Sequence, residues 1–84
     1  MARKVEFIKK SEARILVYIK TAEKPYRNGV DMSVKLEIDY SYIMRLLQKM
    51  WAKGWVDSHI YNSTNFFGLT LAAPMQAAKY RLSI

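Results

Sequence analysis

Apolar residues recur at helical spacing near the start of the chain, so that one side of a predicted helix is apolar. The residues on that side are Ile15, Leu16, Ile19 and Ala22. The helix opens at Ser11, a residue type that caps helix N-termini, and Glu12 follows in the first turn, where the helix dipole favours negative charge. Pro25 stops it, because proline disfavours helical geometry in the preceding residue. The pattern predicts an amphipathic helix over residues 11–23.

Two further helices follow, separated by a tight turn. The second, over residues 30–37, is capped by Asn28 or Asp31, and the third covers residues 41–53. The apolar contacts of the second helix are predicted to come from Met32, Val34, Leu36 and Ile38. The spacing of the apolar residues in the third helix places them on one buried side: Ile43, Leu46, Leu47 and Met50. Gly54 ends this helix, because glycine readily takes the positive φ of a helix C-terminus.

The last third of the chain predicts a β-hairpin and a final helix. Residues 55–61 form one strand, residues 62–65 the tip and residues 66–71 the returning strand. Pro74 suits the first turn of a helix over residues 73–82. The apolar residues of this helix exceed what a lone surface helix needs, and a subunit contact would bury them: Met75, Ala78 and Leu82, with Tyr80 alongside.

This order of helices, glycine stop and hairpin is that of a winged helix-turn-helix domain. Residues 40–56 resemble the recognition helix and first wing strand of MarR-type transcriptional regulators: a Ser, an apolar residue two positions later, Arg after two more, apolar pairs, then Lys-Gly-apolar-Val. Residues 11–16 resemble the opening helix of that family, and residues 68–71 resemble the strand that returns from the wing. The resemblance covers about residues 11–75. It implies an α+β, mostly helical fold with a three-helix core, a β-hairpin wing and a C-terminal helix.

We expect one domain over residues 1–84, with a basic arm at residues 1–10 and a candidate dimer contact at residues 72–84. The chain departs from the MarR pattern in three ways. Glu37 stands where the helix-turn-helix turn usually has glycine, and the wing tip carries no Arg or Lys. MarR-type proteins are also longer, with extra helices that form the dimer and a ligand pocket.

Charge points to a polyanionic partner. Fourteen Lys and Arg residues against seven Asp and Glu residues give a net charge of +7, and such fields attract nucleic acids. Residues 40–56 contain three cations and no acid, a charge of +3, and residues 2–10 contain four cations and one acid, again +3. The alternative is a basic protein whose charged helix side is simply solvated.

A helix that enters the major groove needs polar side chains near its N-terminus and cations for phosphates. Arg45 suits a bidentate contact to guanine and Gln48 one to adenine, while Tyr40, Lys49 and Lys53 suit phosphates. The basic arm, with Arg3 and Lys4 and with Lys9 and Lys10, would add sequence-independent attraction to DNA. The predicted DNA-contacting residues are Arg3, Lys4, Tyr40, Ser41, Tyr42, Arg45, Gln48, Lys49, Lys53, Asn62, Ser63 and Thr64.

Several classes of protein are disfavoured. The sequence has no cysteine, one histidine (His59), no catalytic pairing of carboxylates and no glycine-rich phosphate loop, so we expect neither an enzyme nor a metal or other cofactor. No apolar run reaches the length of a signal peptide or membrane span, which predicts a cytoplasmic, nucleoid-associated protein without a membrane partner. Trp51 and Trp55 flank the helix stop and are predicted to pack in the core.

The sequence thus predicts a protein that binds double-stranded DNA in a sequence-specific manner, a transcriptional regulator acting as a homodimer. Two alternatives stay open. The chain could coat chromosomal DNA with little sequence preference, or it could use the winged fold to contact another protein, with the apolar C-terminal helix as the docking element. RNA also remains open as a ligand.

Overall fold

The computed structural model describes residues 8–22 and 27–83, and within them the chain forms four helices and one three-stranded antiparallel sheet. The helices are α1 (Lys10–Thr21), α2 (Gly29–Leu36), α3 (Tyr40–Ala52) and α4 (Met75–Ser83). The strands are β1 (Arg27–Asn28), β2 (Val56–Tyr61) and β3 (Thr64–Leu69), in the spatial order β1-β3-β2. The predicted α+β, mostly helical architecture is confirmed. None of these four helices is long and apolar enough to cross a membrane.

The first helix begins one residue before the predicted cap. The N-cap is Lys9, so Ser11 lies inside the first turn, and the prediction that Ser11 caps the helix is wrong. The hydrogen bond at this end comes from the acid three residues beyond the cap: Oε1 of Glu12 accepts the backbone N–H of Lys9 at 3.0 Å. This bond satisfies an N–H group at the open end of α1, where the helix itself offers no acceptor.

The core is formed by α1, the inner side of α3 and the base of the sheet. Its buried apolar residues are Ala13, Ile15, Leu16, Ile19, Met32, Ile43, Leu46, Leu47, Met50, Trp55, Val56, Phe67 and Ala78. Val34, which is predicted to supply an apolar contact of α2, is instead 69% exposed. Val34 is two residues from both Met32 and Leu36, and residues two apart on a helix point to opposite sides. The prediction that Val34 supplies such a contact is therefore wrong.

The C-terminal helix packs against α1 and uses most of its apolar residues there. Ala78 is fully buried, and Met75 and Leu82 are partly buried against the core. Tyr80 is the large apolar side chain that α4 leaves exposed. The apolar surplus predicted for this helix is thus largely taken up within one chain.

The sheet contains a strand, β1, that the sequence pattern does not predict. In β1, Arg27 pairs with Phe67 and Asn28 with Phe66 of β3. Asn28 also caps α2, because its Oδ1 accepts the N–H of Asp31 at 2.7 Å, and the cap predicted there is confirmed. A two-residue strand has no periodicity that a sequence pattern could reveal.

A small polar cluster ties β1 and α2 to α1. The hydroxyl of Tyr18 donates to Asp31 at 2.7 Å, and Asp31 also lies 3.4 Å from Nη1 of Arg27. The guanidinium carbon of Arg27 lies 5.8 Å from the centroid of the Tyr18 ring. Burial raises the pKa of Tyr18, and the hydrogen bond to Asp31 raises this pKa further. The raised pKa extends to higher pH the range in which the phenol of Tyr18 stays protonated and donates this bond.

Candidate nucleic-acid interface

The third helix has one side in the core and the other in solvent. Ile43, Leu46, Leu47 and Met50 are all buried, as their spacing predicts. On the opposite side, Ser41, Arg45 and Gln48 are exposed at spacings of four and three, so they form one outward stripe. Lys49 is exposed beside this stripe. The buried side fixes α3 in the fold and leaves the polar side open.

The polar side chains of this outward side are not used within the fold. Across residues 8–22 and 27–83, the side chains of Arg45, Gln48 and Lys49 take part in no hydrogen bond or ion pair. No acid lies on α3 itself. Two cations and an amide donor are therefore available to an external ligand with acceptor groups.

The start of α3 is fixed by a side-chain cap. The carboxylate of Asp39 accepts the N–H of Tyr42 at 3.2 Å, which makes Asp39 the N-cap. The helix begins at Tyr40, one residue before the predicted start. Tyr40 and Ser41 are exposed, whereas Tyr42 is half-buried against the core. Of the three predicted contact residues at this end, Tyr40 and Ser41 are the more accessible.

The turn between α2 and α3 has the geometry that glycine usually supplies. Glu37 has φ 55° and ψ 45°, in the left-handed region, and its N–H donates to the carbonyl of Ser33. The N–H of Ile38 donates to the same carbonyl at 3.2 Å. Nη2 of Arg14, on α1, donates to the carbonyl of Leu36 at 2.7 Å. The turn is therefore held by several bonds despite the absence of glycine.

Glycine matters instead at the other end of α2. A Cβ atom added at Gly29 would lie 2.5 Å from Sδ of Met44 and 3.3 Å from Cε1 of Tyr40. At so short a distance the flexible side chain of Met44 would have to move. The missing side chain of Gly29 thus leaves room for the side chains of Met44 and Tyr40 where α2 meets α3.

The end of α3 is a Schellman motif. The N–H of Gly54 donates to the carbonyl of Trp51 at 3.0 Å, and the N–H of Trp55 donates to that of Met50 at 2.9 Å. Gly54 has φ 80°, so the predicted glycine stop is confirmed. The hydroxyl of Thr70 donates to the carbonyl of Gly54, and the N–H of Thr70 donates to that of Trp55. These bonds join the end of α3 to the chain that leaves the sheet.

Lys53, the C-cap residue of α3, is a predicted contact residue that has a charged partner within the described part of the chain. Its Nζ lies 3.8 Å from Oε2 of Glu12 and 4.3 Å from the centroid of the Trp55 ring. Glu12 is buried, while the side chain of Lys53 is 44% exposed. No local sequence pattern indicates this pair, because Glu12 lies on α1 and Lys53 follows α3, far apart in the chain.

The two tryptophans at the helix stop differ in burial. Trp55 is buried, as predicted, but Trp51 is 58% exposed. Trp51 follows Met50 directly, and the helical turn carries it away from the buried side of α3. The prediction that Trp51 packs in the core is wrong.

The hairpin of β2 and β3, which we call the wing, is neutral at its tip. The two strands pair from Val56 with Leu69 to Tyr61 with Thr64. Asn62 and Ser63 have φ 50° and 63°, the signature of a two-residue type I′ turn. The tip is thus shorter than the predicted residues 62–65, because Thr64 and its neighbour belong to β3.

Exposed side chains cover both faces of the outer wing. Ile60 and Tyr61 are 75% and 69% exposed, and Asn62, Ser63 and Thr64 are exposed beside them. No Lys or Arg occurs between Gly54 and Ala78. The wing can therefore offer amide, hydroxyl and apolar groups to a ligand, but no cation of its own.

The predicted basic arm is described only from residue 8 onwards. Lys9 and Lys10 are exposed at the start of α1. Arg3 and Lys4 lie outside the described residues.

His59 is exposed on β2, and no group of three His, Asp or Glu residues is placed to hold a metal ion in the described part of the chain.

The fold is that of a winged helix-turn-helix domain, in which α2 and α3 form the helix-turn-helix and β2 and β3 the wing. Among solved structures, a mutant form of ZitR from Lactococcus lactis is similar, with a TM-score of 0.70 and 17% sequence identity. The match covers 99% of this chain and 56% of the ZitR chain. This protein thus spans little more than half of that structure, and at this identity the likeness establishes the fold alone.

Comparison of sequences adds no closer relationship. No protein-family model matches the chain, and no curated protein matches it.

Proposed function

We propose that this protein binds double-stranded DNA in a sequence-specific manner, with α3 in the major groove, and regulates transcription as a homodimer. One observation carries the proposal: the outward side of α3 presents Arg45, Gln48 and Lys49 exposed and without partners in the described structure, while its other side is buried. An α-helix with its side chains is about 10–12 Å across, and the major groove is about 12 Å wide. The helix therefore fits the groove.

The side chains on this outward side suit base edges and phosphates. A guanidinium at Arg45 suits the two acceptors of guanine, and the amide of Gln48 suits adenine. Lys49 and Tyr40 flank this stripe and suit phosphates, with Ser41 at the leading end. In this proposal the wing contributes only neutral contacts from Asn62, Ser63 and Thr64, and Arg3 and Lys4 add sequence-independent attraction.

A single α3 can reach few base pairs, which favours two copies on one site. Two-fold related recognition helices reach half-sites about 34 Å apart, one turn of the duplex. The exposed Tyr80 side of α4 is the candidate dimer contact, since the other apolar residues of α4 pack within the chain. A bounded footprint with two-fold symmetry is the expected result. Protection that spreads along the DNA from one site, or that has no preferred starting site, would favour a protein that coats chromosomal DNA.

A second candidate function is supported by a different observation. Val30 and Val34 on α2 and Trp51 on α3 are each more than half exposed. Exposed apolar residues of this size favour protein contact over contact with phosphates. In this alternative the winged fold is a protein-interaction module and its net charge is incidental.

Binding to duplex DNA at two salt concentrations separates these candidates. We expect fluorescence anisotropy to give micromolar or tighter binding that weakens steeply between about 50 and 200 mM salt. Weak binding with a shallow salt dependence would favour the protein-interaction module.

Arg45→Ala tests the base contact. The variant should lose discrimination at one base position, by about 1–3 kcal/mol. Lys79→Ala is the matched control, because it removes an exposed cation on α4, which packs on α1. If Arg45→Ala weakens binding equally on all sequences, Arg45 contacts only phosphate.

A further inference from the structure

Lys53, the C-cap residue that follows the last turn of α3, differs from the two cations within this helix. Arg45 and Lys49 have no partner in the described structure, whereas Nζ of Lys53 lies 3.8 Å from Oε2 of Glu12. Nζ also lies 4.3 Å from the centroid of the buried Trp55 ring, a position that favours a cation. Lys53 therefore has two attractive contacts within its own fold.

The burial of Glu12 stabilises the ion pair between Glu12 and Lys53. Glu12 is 2% exposed and is the buried charged residue among those the structure describes. Its Oε1 accepts the N–H of Lys9, so Oε2 is left to face the ammonium of Lys53. Removal of the cationic partner of a buried carboxylate is strongly unfavourable, because the charge is left uncompensated. Moving Lys53 to an outside ligand would leave Glu12 in that state.

We propose that Glu12 is a positioning residue that withholds Lys53 from polyanionic ligands, so that α3 meets a duplex with two free cations instead of three. This inference rests on the proposed function for its natural ligand. It reassigns Lys53 from phosphate contact to the attachment of α3 to α1. Because Lys53 is still 44% exposed, the loss of Glu12's charge would make its ammonium available to a phosphate.

Glu12→Gln tests this proposal with little disturbance of the fold. The amide oxygen of glutamine still accepts the N–H of Lys9, but the charge that holds Lys53 is gone. One more phosphate contact makes the slope of log K against log salt steeper by about 0.9. Between 50 and 200 mM salt, the ratio of affinities should then rise about 3.5-fold over that of the parent protein. Circular dichroism checks that the variant is folded.

Two further variants make the result specific. Glu37→Gln raises the net charge by the same amount at an exposed acid that the described structure shows without an ion pair, so its slope should stay near the parental one. The double variant Glu12→Gln with Lys53→Gln leaves no unpaired buried charge and should bind with the parental slope. A double variant with a slope shallower by about 0.9 would show that Lys53 already contacts phosphate, and would overturn the proposal.

Elution from immobilised heparin separates this proposal from the function proposed above. Heparin is a polyanion without base pairs, so it reports on available cations even if duplex DNA is not the ligand. Glu12→Gln should elute at higher salt than Glu37→Gln, and the double variant should elute with the parent protein. Equal elution of the two single variants would overturn the proposal, whereas failure of the parent to bind duplex DNA would count against the proposed function alone.

Discussion

α3 and the wing are consecutive in the chain and differ in almost every physical respect. One side of α3 is fully buried, its outward side is cationic, and both of its ends are held by hydrogen bonds. In the wing, β2 is buried only at Val56, and β3 only at Phe67 and Gly68. The outer wing is exposed on both faces and carries no cation.

The difference separates two sources of affinity that winged domains can combine. Attraction to phosphates depends on cations and weakens with salt, and in this pair of elements only α3 has them. The outer wing, residues 60–65, offers only neutral hydrogen-bonding groups and apolar surface, whose contacts salt affects little. Salt dependence and wing substitutions therefore report on different parts of one interface.

The largest expected contrast is in stability. Leu47→Ala, in the buried side of α3, should lower the free energy of unfolding by about 2–5 kcal/mol, because it leaves a cavity in the core. Ile60→Ala, on the exposed wing, should change it by less than about 0.5 kcal/mol. Urea unfolding followed by circular dichroism measures both. Similar losses for the two variants would mean that the wing packs against something in solution, such as a second copy.

The next contrast is in the salt dependence of duplex binding. Lys49→Gln should make the slope of log K against log salt shallower by about 0.9, since one phosphate contact is lost. Tyr61→Ala should leave the slope unchanged, whatever it does to affinity, because the wing has no cation. Anisotropy titrations at four salt concentrations give both slopes. A shallower slope for Tyr61→Ala would contradict the separation drawn here.

The smallest effect concerns the two turns with left-handed residues. Glu37→Gly before α3 should stabilise the fold by up to about 1 kcal/mol, because glycine adopts φ 55° without steric cost. Ser63→Gly relieves a similar conformation at the wing tip, yet it should add less than half as much, since an exposed tip can open without global unfolding. Thermal melts rank the two. The reverse order would show that the tip is coupled to the core.

The parts of the structure that local patterns determine could be predicted from sequence. The four buried residues of α3 recur at helical spacing, and Gly54 is the residue type that a Schellman motif prefers. The cap at Asn28 and the hairpin also follow from local chemistry. Each of these features depends on residues only a few positions apart.

The errors arose where distant parts of the chain meet. The pairing of β1 with β3 joins residues about forty positions apart, and the pair of Glu12 with Lys53 joins two helices. Neither has a local signature. The exposure of Val34 and Trp51 has a different cause: each lies on the side of its helix that faces away from the core, and apolar character alone does not indicate that side.

The chain changes direction at Gly54, so the wing extends from the end of α3, and its tip moves when α3 tilts. Bonds from Trp55 and Thr70 fix this corner on both sides, and strands of six residues extend about 20 Å from it. A tilt of α3 by about 10° would then move the tip by about 3.5 Å. A fluorescent or spin label at Ser63 should therefore report how α3 is seated on its ligand, even if the tip itself touches nothing.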